Sequence, residues 1–292
     1  MSMPSGIGIV DTFFDLPPEN RNAWASDFGA LFRDRESKTG AMAHAAGFLF
    51  KDAPNITRSG DPIGDTLREM DRFGIEKALI RVNDNLSVEA VTHHRDRFLG
   101  QLYVDPNQGM DTVRALPRAY ELYGILGASF FPAGQNPPVP INDKRAYPIY
   151  ARCVDLDIAI FVNAGVPGPR IPMDSQQVAL VDEVCWFFPE LRLVLRHGCE
   201  PWTDLAIKLM LKWPNLYYST SAFAPKFYPR DIVDFANSRG ADKIIYAGYY
   251  PSGLTLDRIF DEMKNVPFKD HVWPKFLREN ALKVLKQGRQ SA

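Results

Sequence analysis

The chain has 292 residues, a formal net charge of −1 and an ordinary globular composition, with 46% hydrophobic and 24% charged residues. A charge so close to zero gives no field that would attract nucleic acid or an anionic membrane, and the apolar runs are too short to span a bilayer. Three widely spaced cysteines and the lack of a basic region followed by an apolar stretch predict a cytoplasmic protein without disulfides or a signal peptide.

Short β-branched runs alternate with amphipathic segments eight times along the chain, which predicts βα units and a parallel sheet. The predicted strands are 7–10, 78–82, 100–104, 127–131, 158–162, 193–195, 216–219 and 244–246. The predicted helices are 65–73, 88–94, 110–123, 145–156, 177–188, 203–212, 231–238, 256–263 and 275–285.

The turn after the first strand distinguishes two ways of arranging such units. An open, doubly wound sheet usually has a glycine-rich phosphate turn there. Here the chain continues Asp-Thr-Phe-Phe-Asp-Leu-Pro-Pro from Asp11, without glycine. We therefore predict a closed (β/α)8 TIM barrel in a single domain, 1–292, with its functional site at the C-terminal ends of the strands.

A long irregular stretch, 13–62, follows the first strand and is too long for an ordinary βα loop. It contains five aromatic residues: Trp24, Phe28, Phe32, Phe48 and Phe50. Because this set is too apolar for a solvated loop, we predict a lid that covers the C-terminal mouth and walls a largely apolar pocket. The alternative is a structural insertion packed elsewhere on the barrel.

Six segments occur in an order typical of one known family. They are TLREMDRFGI at 66–75, DRFLG at 96–100, YPIYARC at 147–153, LRHGCEPW at 195–202, GADKIIYAGYYP at 240–251 and ENALKVL at 279–285. Together they resemble the amidohydrolase-related family, the branch of the amidohydrolase superfamily that includes ring-cleaving hydrolases, lactonases and nonoxidative decarboxylases. The resemblance covers most of the chain and implies the same barrel.

The resemblance also implies a divalent metal held at the strand ends. The family uses histidines in a first-strand D-x-H-x-H or E-x-H signature, a histidine after strand five and an aspartate after strand eight. This chain has Phe13, Asp15, Asn163 and Tyr249 at those positions, and only His197, after strand six, matches the family pattern. We therefore predict no bound metal and no other cofactor.

Three residues at the mouth are catalytic candidates. His197 would be a general acid or base because an imidazole titrates near neutrality, unless it is a core histidine bonded to the backbone. Asp11 would orient His197 or act as a base, or else tie loops together. Tyr249 would donate a proton or bind an oxyanion, or else fill the empty metal cavity. Asp11 and Asp15 leave open a weakly held hard cation.

Arg81, at the end of strand two, would hold a substrate carboxylate, unless it forms an ion pair with Asp11 or Asp84. Asn163 would bind a carbonyl group or only satisfy its neighbours.

Three further residues are expected to line the substrate pocket: Phe13, Phe131 and Cys199. The two phenylalanines would fill the space of the metal. Cys199 lies two residues after His197, a spacing that does not guarantee contact, and a small buried cysteine is the simpler interpretation.

These residues predict a metal-independent enzyme that acts on a small carboxylated or lactone-like ring compound, by hydrolysis or by lyase or isomerase chemistry. The alternative is a pseudoenzyme that binds a ligand or an active homologue without catalysis. The expected partner is a small molecule, with no nucleic acid and no membrane. The sequence leaves open a homo-oligomer and a hetero-oligomer with an active homologue.

Overall fold

The structure is a computed structural model that describes residues 3–20, 28–39 and 44–286. Eight parallel strands, β1 to β8, form one sheet in the order in which they occur along the chain. They span Ile9–Asp11, Ile75–Arg81, Phe98–Tyr103, Gly127–Phe130, Ala159–Asn163, Leu193–Arg196, Leu216–Ser219 and Ile244–Ile245. This order, with helices between the strands, is that of a (β/α)8 TIM barrel, so the predicted fold class is confirmed.

The barrel closes between the two ends of the chain, just beyond β1 and β8. The backbone N–H of Thr12 donates to the carbonyl of Tyr246 at 3.3 Å, and Asp15 donates to the carbonyl of Tyr250 at 3.1 Å. The hydroxyl of Thr12 also donates to the carbonyl of Tyr246, at 2.9 Å. Side-chain contacts therefore reinforce a seam in which the strands themselves are short.

Ten α-helices are found in the described residues. As α1 to α10 they span Arg35–Lys38, Pro62–Arg72, Asn85–His93, Met110–Tyr123, Tyr147–Asp155, Val181–Phe187, Thr203–Lys212, Arg230–Ala236, Leu256–Met263 and Asn280–Val284. Short 3-10 turns lie at Pro106–Gln108, Pro132–Gly134, Asp174–Gln176, Val178–Leu180 and Pro225–Phe227, and a π-helical turn at Lys275–Glu279 leads into α10. No helix in this part of the chain is long and apolar enough to cross a membrane.

Helix α2 shows how local sequence sets the bounds of these elements. Asp61 caps its N-terminus by accepting from the backbone N–H of Gly64 at 2.9 Å, and Pro62 takes the first helical position. Gly74, with φ of 69°, turns the chain from the helix into β2. The buried face of the helix includes Met70, which packs against the barrel.

The strands from β4 to β8 are buried along their whole length. Burial on both faces is the usual state of a parallel strand between a barrel interior and its outer helices. Polar side chains that project from the C-terminal ends of these strands are therefore held on a rigid base.

The insertion after β1 contacts the barrel at its C-terminal end. The ring of Phe28 lies 5.6 Å from that of Phe131, which follows β4, and the ring of Phe50 lies 5.2 Å from that of Tyr249, which follows β8. Trp24 lies outside the described residues. These contacts fit a cover over the mouth, while the single domain and the lid remain predictions.

Candidate functional site

His197 directly follows β6, with a left-handed φ of 63°. Its Nδ1 lies 3.0 Å from the Oγ of Ser221, and its backbone N–H donates to the same oxygen at 3.2 Å. Ser221 is buried beyond the end of β7. Ser221, rather than Asp11, therefore holds the imidazole in place.

The pKa of His197 lies below the neutral range that its residue type predicts. Burial, with the positive charge of Arg196 adding to it, lowers the pKa of His197 from 6.5 to about 3. The ring is therefore neutral at physiological pH. It is a weak base, and it carries no acidic proton that it could donate as a general acid. A catalytic role for His197 remains a prediction.

Tyr249, after β8, is paired with a histidine that the sequence placed only in the insertion. The hydroxyl of Tyr249 lies 3.3 Å from the Nε2 of His44. The Nδ1 of His44 accepts the backbone N–H of Ala46 at 3.0 Å, so the neutral ring carries its proton on Nε2. His44 thus donates to the oxygen of Tyr249 and leaves the hydroxyl proton of Tyr249 free for another acceptor.

Both members of this pair are neutral at physiological pH. Burial lowers the pKa of His44 from 6.5 to about 4. Burial raises the pKa of Tyr249 well above its ordinary value of 10, against the opposing charge of Arg81. The pair therefore offers a polarised hydroxyl donor and no charge.

Aromatic rings pack these groups together in what we call the mouth cluster: Phe13, His44, Phe50, His197 and Tyr249. Phe13 stands centrally, with its ring edge-on to His197 at 5.0 Å and stacked on Tyr249 at 5.1 Å. Phe50 lies 4.9 Å from His44. Edge-on and offset contacts at these distances are favourable, so the polar groups sit in a firm, mostly apolar setting.

Arg196, the last residue of β6, is a functional candidate that the sequence analysis missed. Its side chain is only 2% exposed, and its guanidinium carbon lies 4.8 Å from the ring centre of Phe13 and 4.3 Å from that of Phe161. Its Nη2 donates to the carbonyl of Thr12 at 2.8 Å and to the Oε1 of Gln101 at 3.0 Å. The available signal was an arginine at the end of an otherwise apolar strand.

Asp11 lies deeper in the barrel and ties its two ends together. Its Oδ1 accepts the backbone N–H groups of Phe13 and Gly248, each at 2.9 Å. Burial raises its pKa from 3.8 to about 7 against the opposing backbone hydrogen bonds from Phe13 and Gly248. A Cβ on Gly248 would lie 2.5 Å from the Oδ2 of Asp11, so only glycine fits there. This geometry matches the structural alternative for Asp11.

Arg81 is half-exposed and forms an ion pair with Asp15. The alternative to substrate binding was an ion pair with Asp11 or Asp84, and the partner is neither of these. Its Nε and Nη2 lie 3.0 and 2.9 Å from the Oδ2 of Asp15, whose Oδ1 accepts the backbone N–H of Arg81 at 3.2 Å. Asp84 instead pairs with Arg58. The guanidinium of Arg81, which was expected to bind a substrate carboxylate, thus already binds the carboxylate of Asp15.

The other expected pocket residues differ in their access to the mouth. The amide of Asn163, at the end of β5, makes no side-chain hydrogen bond to the described residues and is 9% exposed. Phe131 contacts the insertion. Cys199 is fully buried, and burial raises its thiol pKa far above the ordinary value of 9. The thiol therefore packs in the core and is not activated, while its contact with a substrate remains a prediction.

The divalent metal implied by the resemblance does not fit the residues at the strand ends. The ring of Phe13 offers no ligand atom, and Asp15 is committed to Arg81. Asn163 and Tyr249 offer only neutral oxygens. Among residues 3–20, 28–39 and 44–286, no group of three or more histidine, cysteine, aspartate or glutamate side chains could hold a metal ion. The absence of a metal from the protein itself remains a prediction.

The comparisons with known proteins agree with this architecture. A family model described as Amidohydrolase matches residues 43–287. No curated protein is significantly similar to the chain.

Solved structures share the fold at low sequence identity. An uncharacterized TIM-barrel protein from Bordetella bronchiseptica is 22% identical, with a TM-score of 0.71 over 96% of this chain and 99% of that one. 2,6-Dihydroxybenzoate decarboxylase from Rhizobium is 15% identical, with a TM-score of 0.67 over 96% and 99%. A probable 2-pyrone-4,6-dicarboxylic acid hydrolase from Acinetobacter baumannii is 13% identical, with a TM-score of 0.65 over 96% and 99%. Identities this low establish the fold alone.

Proposed function

Because the chain belongs to the amidohydrolase family, we propose that it acts without a metal on a small carboxylated or lactone-like ring compound. The observation that carries this proposal is the hydrogen-bonded pair of His44 and Tyr249, in which the tautomer of His44 leaves the hydroxyl proton of Tyr249 free for another acceptor. A donor fixed in advance can stabilise an oxygen on which negative charge develops.

The reaction that suits these groups best is hydrolysis of a lactone. Water adds to the ring carbonyl carbon and the ring C–O bond breaks, while one proton of the water passes to the departing ring oxygen, so that the product is a hydroxy acid. The hydroxyl of Tyr249 donates a hydrogen bond to the carbonyl oxygen as negative charge grows there. The side-chain amide of Asn163 supplies a second hydrogen-bond donor. His197, neutral with a pKa of about 3, accepts a hydrogen bond from the attacking water.

The low basicity of His197 limits the substrates. An activated ester or lactone needs little help from a base, whereas an amide needs much more. Lyase or isomerase chemistry on a carboxylated ring would use the same tyrosine donor. The names of the structural neighbours set the compounds to test first, since they include 2,6-dihydroxybenzoate, 2-pyrone-4,6-dicarboxylic acid and 4-oxalomesaconate.

The test is turnover of a panel of pyrone carboxylates, other lactones and hydroxybenzoates by protein treated with chelator. We expect a Tyr249→Phe variant to lower kcat by about 10²–10³-fold, the usual effect of removing one such donor. Tyr250→Phe is the matched control, because its ring packs on Phe14 at 4.9 Å and not on His44. Equal kcat values for both variants, or activity that needs added metal, would refute the mechanism.

A pseudoenzyme is the second candidate function, and the position of Phe13 favours it. Its ring stands where the family provides a metal ligand and packs on both His197 and Tyr249. In that case the barrel would bind a ligand, or join an active homologue in a hetero-oligomer. No turnover across the panel, together with a stable complex when the two proteins are purified together, would support this function over catalysis.

A further inference from the structure

In the part of the chain that the structure describes, two arginines are buried, one at each end of β6, and their hydrogen bonding differs greatly. Arg192, just before β6, donates through Nε to the carbonyl of Val284 at 2.7 Å, and through Nη1 and Nη2 to the side chain and carbonyl of Asp157 at 2.6 Å each. All three nitrogens of Arg192 are used. This is the usual pattern for a structural arginine, since a buried charge is costly unless it is paired and hydrogen-bonded.

Arg196 departs from this pattern at the mouth end of the same strand. Only its Nη2 makes hydrogen bonds, while Nε is fully buried without a partner and Nη1 bonds to no described residue. No carboxylate of the described residues lies within 4.0 Å of the guanidinium, because the nearby Asp15 is paired with Arg81. A fixed cation with unused N–H donors is thus held beside the mouth cluster.

Two aromatic rings lie over this guanidinium, and they differ in exposure to solvent. Phe161 is fully buried in the barrel, whereas Phe13 is partly exposed. The backbone of Phe13 is held by Asp11 and by the N–H of Tyr249, which donates to its carbonyl at 3.1 Å. Because these hydrogen bonds hold only the main chain of Phe13, its side chain is the group that would have to leave its contacts with His197 and Tyr249 to uncover Arg196.

We propose that Arg196 binds the carboxylate of the substrate, and that Phe13 is the side chain that rotates to admit it. The proposal rests on the proposed function for its substrate class and names the anchor of that substrate. The chemistry is that of a charge-assisted hydrogen bond from a guanidinium to a carboxylate in a place screened from water. The ring of Phe13 would then lie beside the planar ring of the ligand.

Benzoate and benzamide are the probes, because they share shape and differ in charge. We expect Arg196→Met to weaken benzoate binding by about 10- to 100-fold by calorimetry, with benzamide unaffected. If the open position of Phe13 is populated about 10% of the time, Phe13→Ala should strengthen benzoate binding about 10-fold. Arg68→Met, on the outer face of α2 in a pair with Asp65, should change nothing.

Three results would overturn the proposal. One is unchanged benzoate affinity in a folded Arg196→Met variant. Another is loss of binding in Arg81→Met with none in Arg196→Met, which would make Arg81 the anchor. The third is no benzoate binding to either the wild type or Phe13→Ala at any soluble concentration.

A measurement on the wild-type protein covers the case in which Arg196→Met does not fold. The Nε–H resonance of Arg196, assigned through its own side-chain carbons, should shift as benzoate is added and stay in place with benzamide. An unmoved resonance at benzoate saturation would overturn the proposal. Benzoate bound through Arg196 in a protein that turns over no compound of the panel would refute the proposed function and leave the anchor intact. Tyr249→Phe should lose turnover and keep its benzoate affinity.

Discussion

Replacing Asp11 by asparagine should make the protein more stable, and increasingly so as the pH rises. The asparagine side chain would keep the oxygen that accepts from Phe13 and Gly248, because a carboxamide has the same shape as a carboxylate. Its new N–H₂ group would take the place of Oδ2, on the side where the hydroxyl of Tyr246 lies. The substitution therefore removes an ionisable group while leaving the hydrogen bonds in place.

The sign and size follow from the raised pKa of Asp11. Between the pKa of 3.8 in the unfolded chain and about 7 in the folded protein, the folded state keeps a proton that the unfolded chain releases. The free energy of unfolding of the wild type thus falls by about 1.4 kcal/mol per pH unit as the pH rises through this window, or about 4 kcal/mol in all. Above the window the loss is complete and constant.

The assay is urea unfolding of wild type and Asp11→Asn at intervals from pH 5 to pH 8. The stability difference should grow in favour of the variant by about 3 kcal/mol over this range and then level off. Asp34→Asn is the control, because the N-cap hydrogen bond from Ser37 lowers the pKa of Asp34 to about 2. The stability difference between this variant and the wild type should therefore be constant above pH 5. A constant difference for Asp11→Asn would refute the reasoning about burial.

Other consequences can be measured on the same protein. His197→Gln should break the contact with Ser221 and cost about 1–3 kcal/mol of stability, and if His197 assists catalysis it should also lower kcat; full activity would exclude that role. Gly248→Ala should destabilise the protein by about 1–3 kcal/mol through overpacking against Asp11, as urea unfolding would show, whereas a neutral effect would contradict the close approach. Below pH 6.5 the lowered pKa values of His44 and His197 leave both rings neutral in the folded state while the unfolded chain takes up protons, so these two groups lower the stability as the pH drops and together outweigh the opposite contribution of Asp11; the double variant His44→Gln, His197→Gln should keep only the contribution of Asp11 and gain stability over the same range. Elemental analysis of protein purified without chelator should find no stoichiometric zinc, iron or manganese, and near-stoichiometric metal would show that ligands were missed.

The fold could be predicted because the alternation of strand and helix is written in local patterns. The helices at 110–123, 203–212 and 256–263 and the strand at 216–219 have the predicted bounds. Glycines flank the first of these helices and the side chain of Thr255 caps the third, so local signals mark those ends. The predicted helix at 177–188 is instead the 3-10 turn Val178–Leu180 followed by Val181–Phe187. A pattern of apolar residues does not distinguish the two geometries at a helix start.

The site was predicted in part, and the missing part depends on tertiary contacts. Strand-end positions placed His197, Asn163 and Tyr249 at the mouth from their neighbours in sequence. No local pattern could predict the contact between His44 and Tyr249, because the two residues are more than 200 positions apart in the sequence and meet only when the insertion packs on the barrel. The predicted sixth strand also ended one residue early, which left Arg196 outside it.

The pKa of His197 also depends on tertiary contacts, and for that reason it could not be predicted from the sequence. Its residue type predicts titration near neutrality. The shift depends on how completely the surroundings exclude water and on the charge of Arg196 next to it. Neither quantity can be obtained from one sequence.

The seam between β1 and β8 has a consequence for synthesis on the ribosome. The two strands lie at opposite ends of the chain, at Ile9–Asp11 and Ile244–Ile245, and each is at most three residues long. While the chain grows, the first seven strands can pair in order, yet the sheet keeps two open edges until the eighth emerges. Open edges of a parallel, apolar sheet invite pairing with other chains. We therefore expect the growing chain to be most prone to pairing with other chains late in translation, when its hydrophobic core is nearly complete and the barrel is still open.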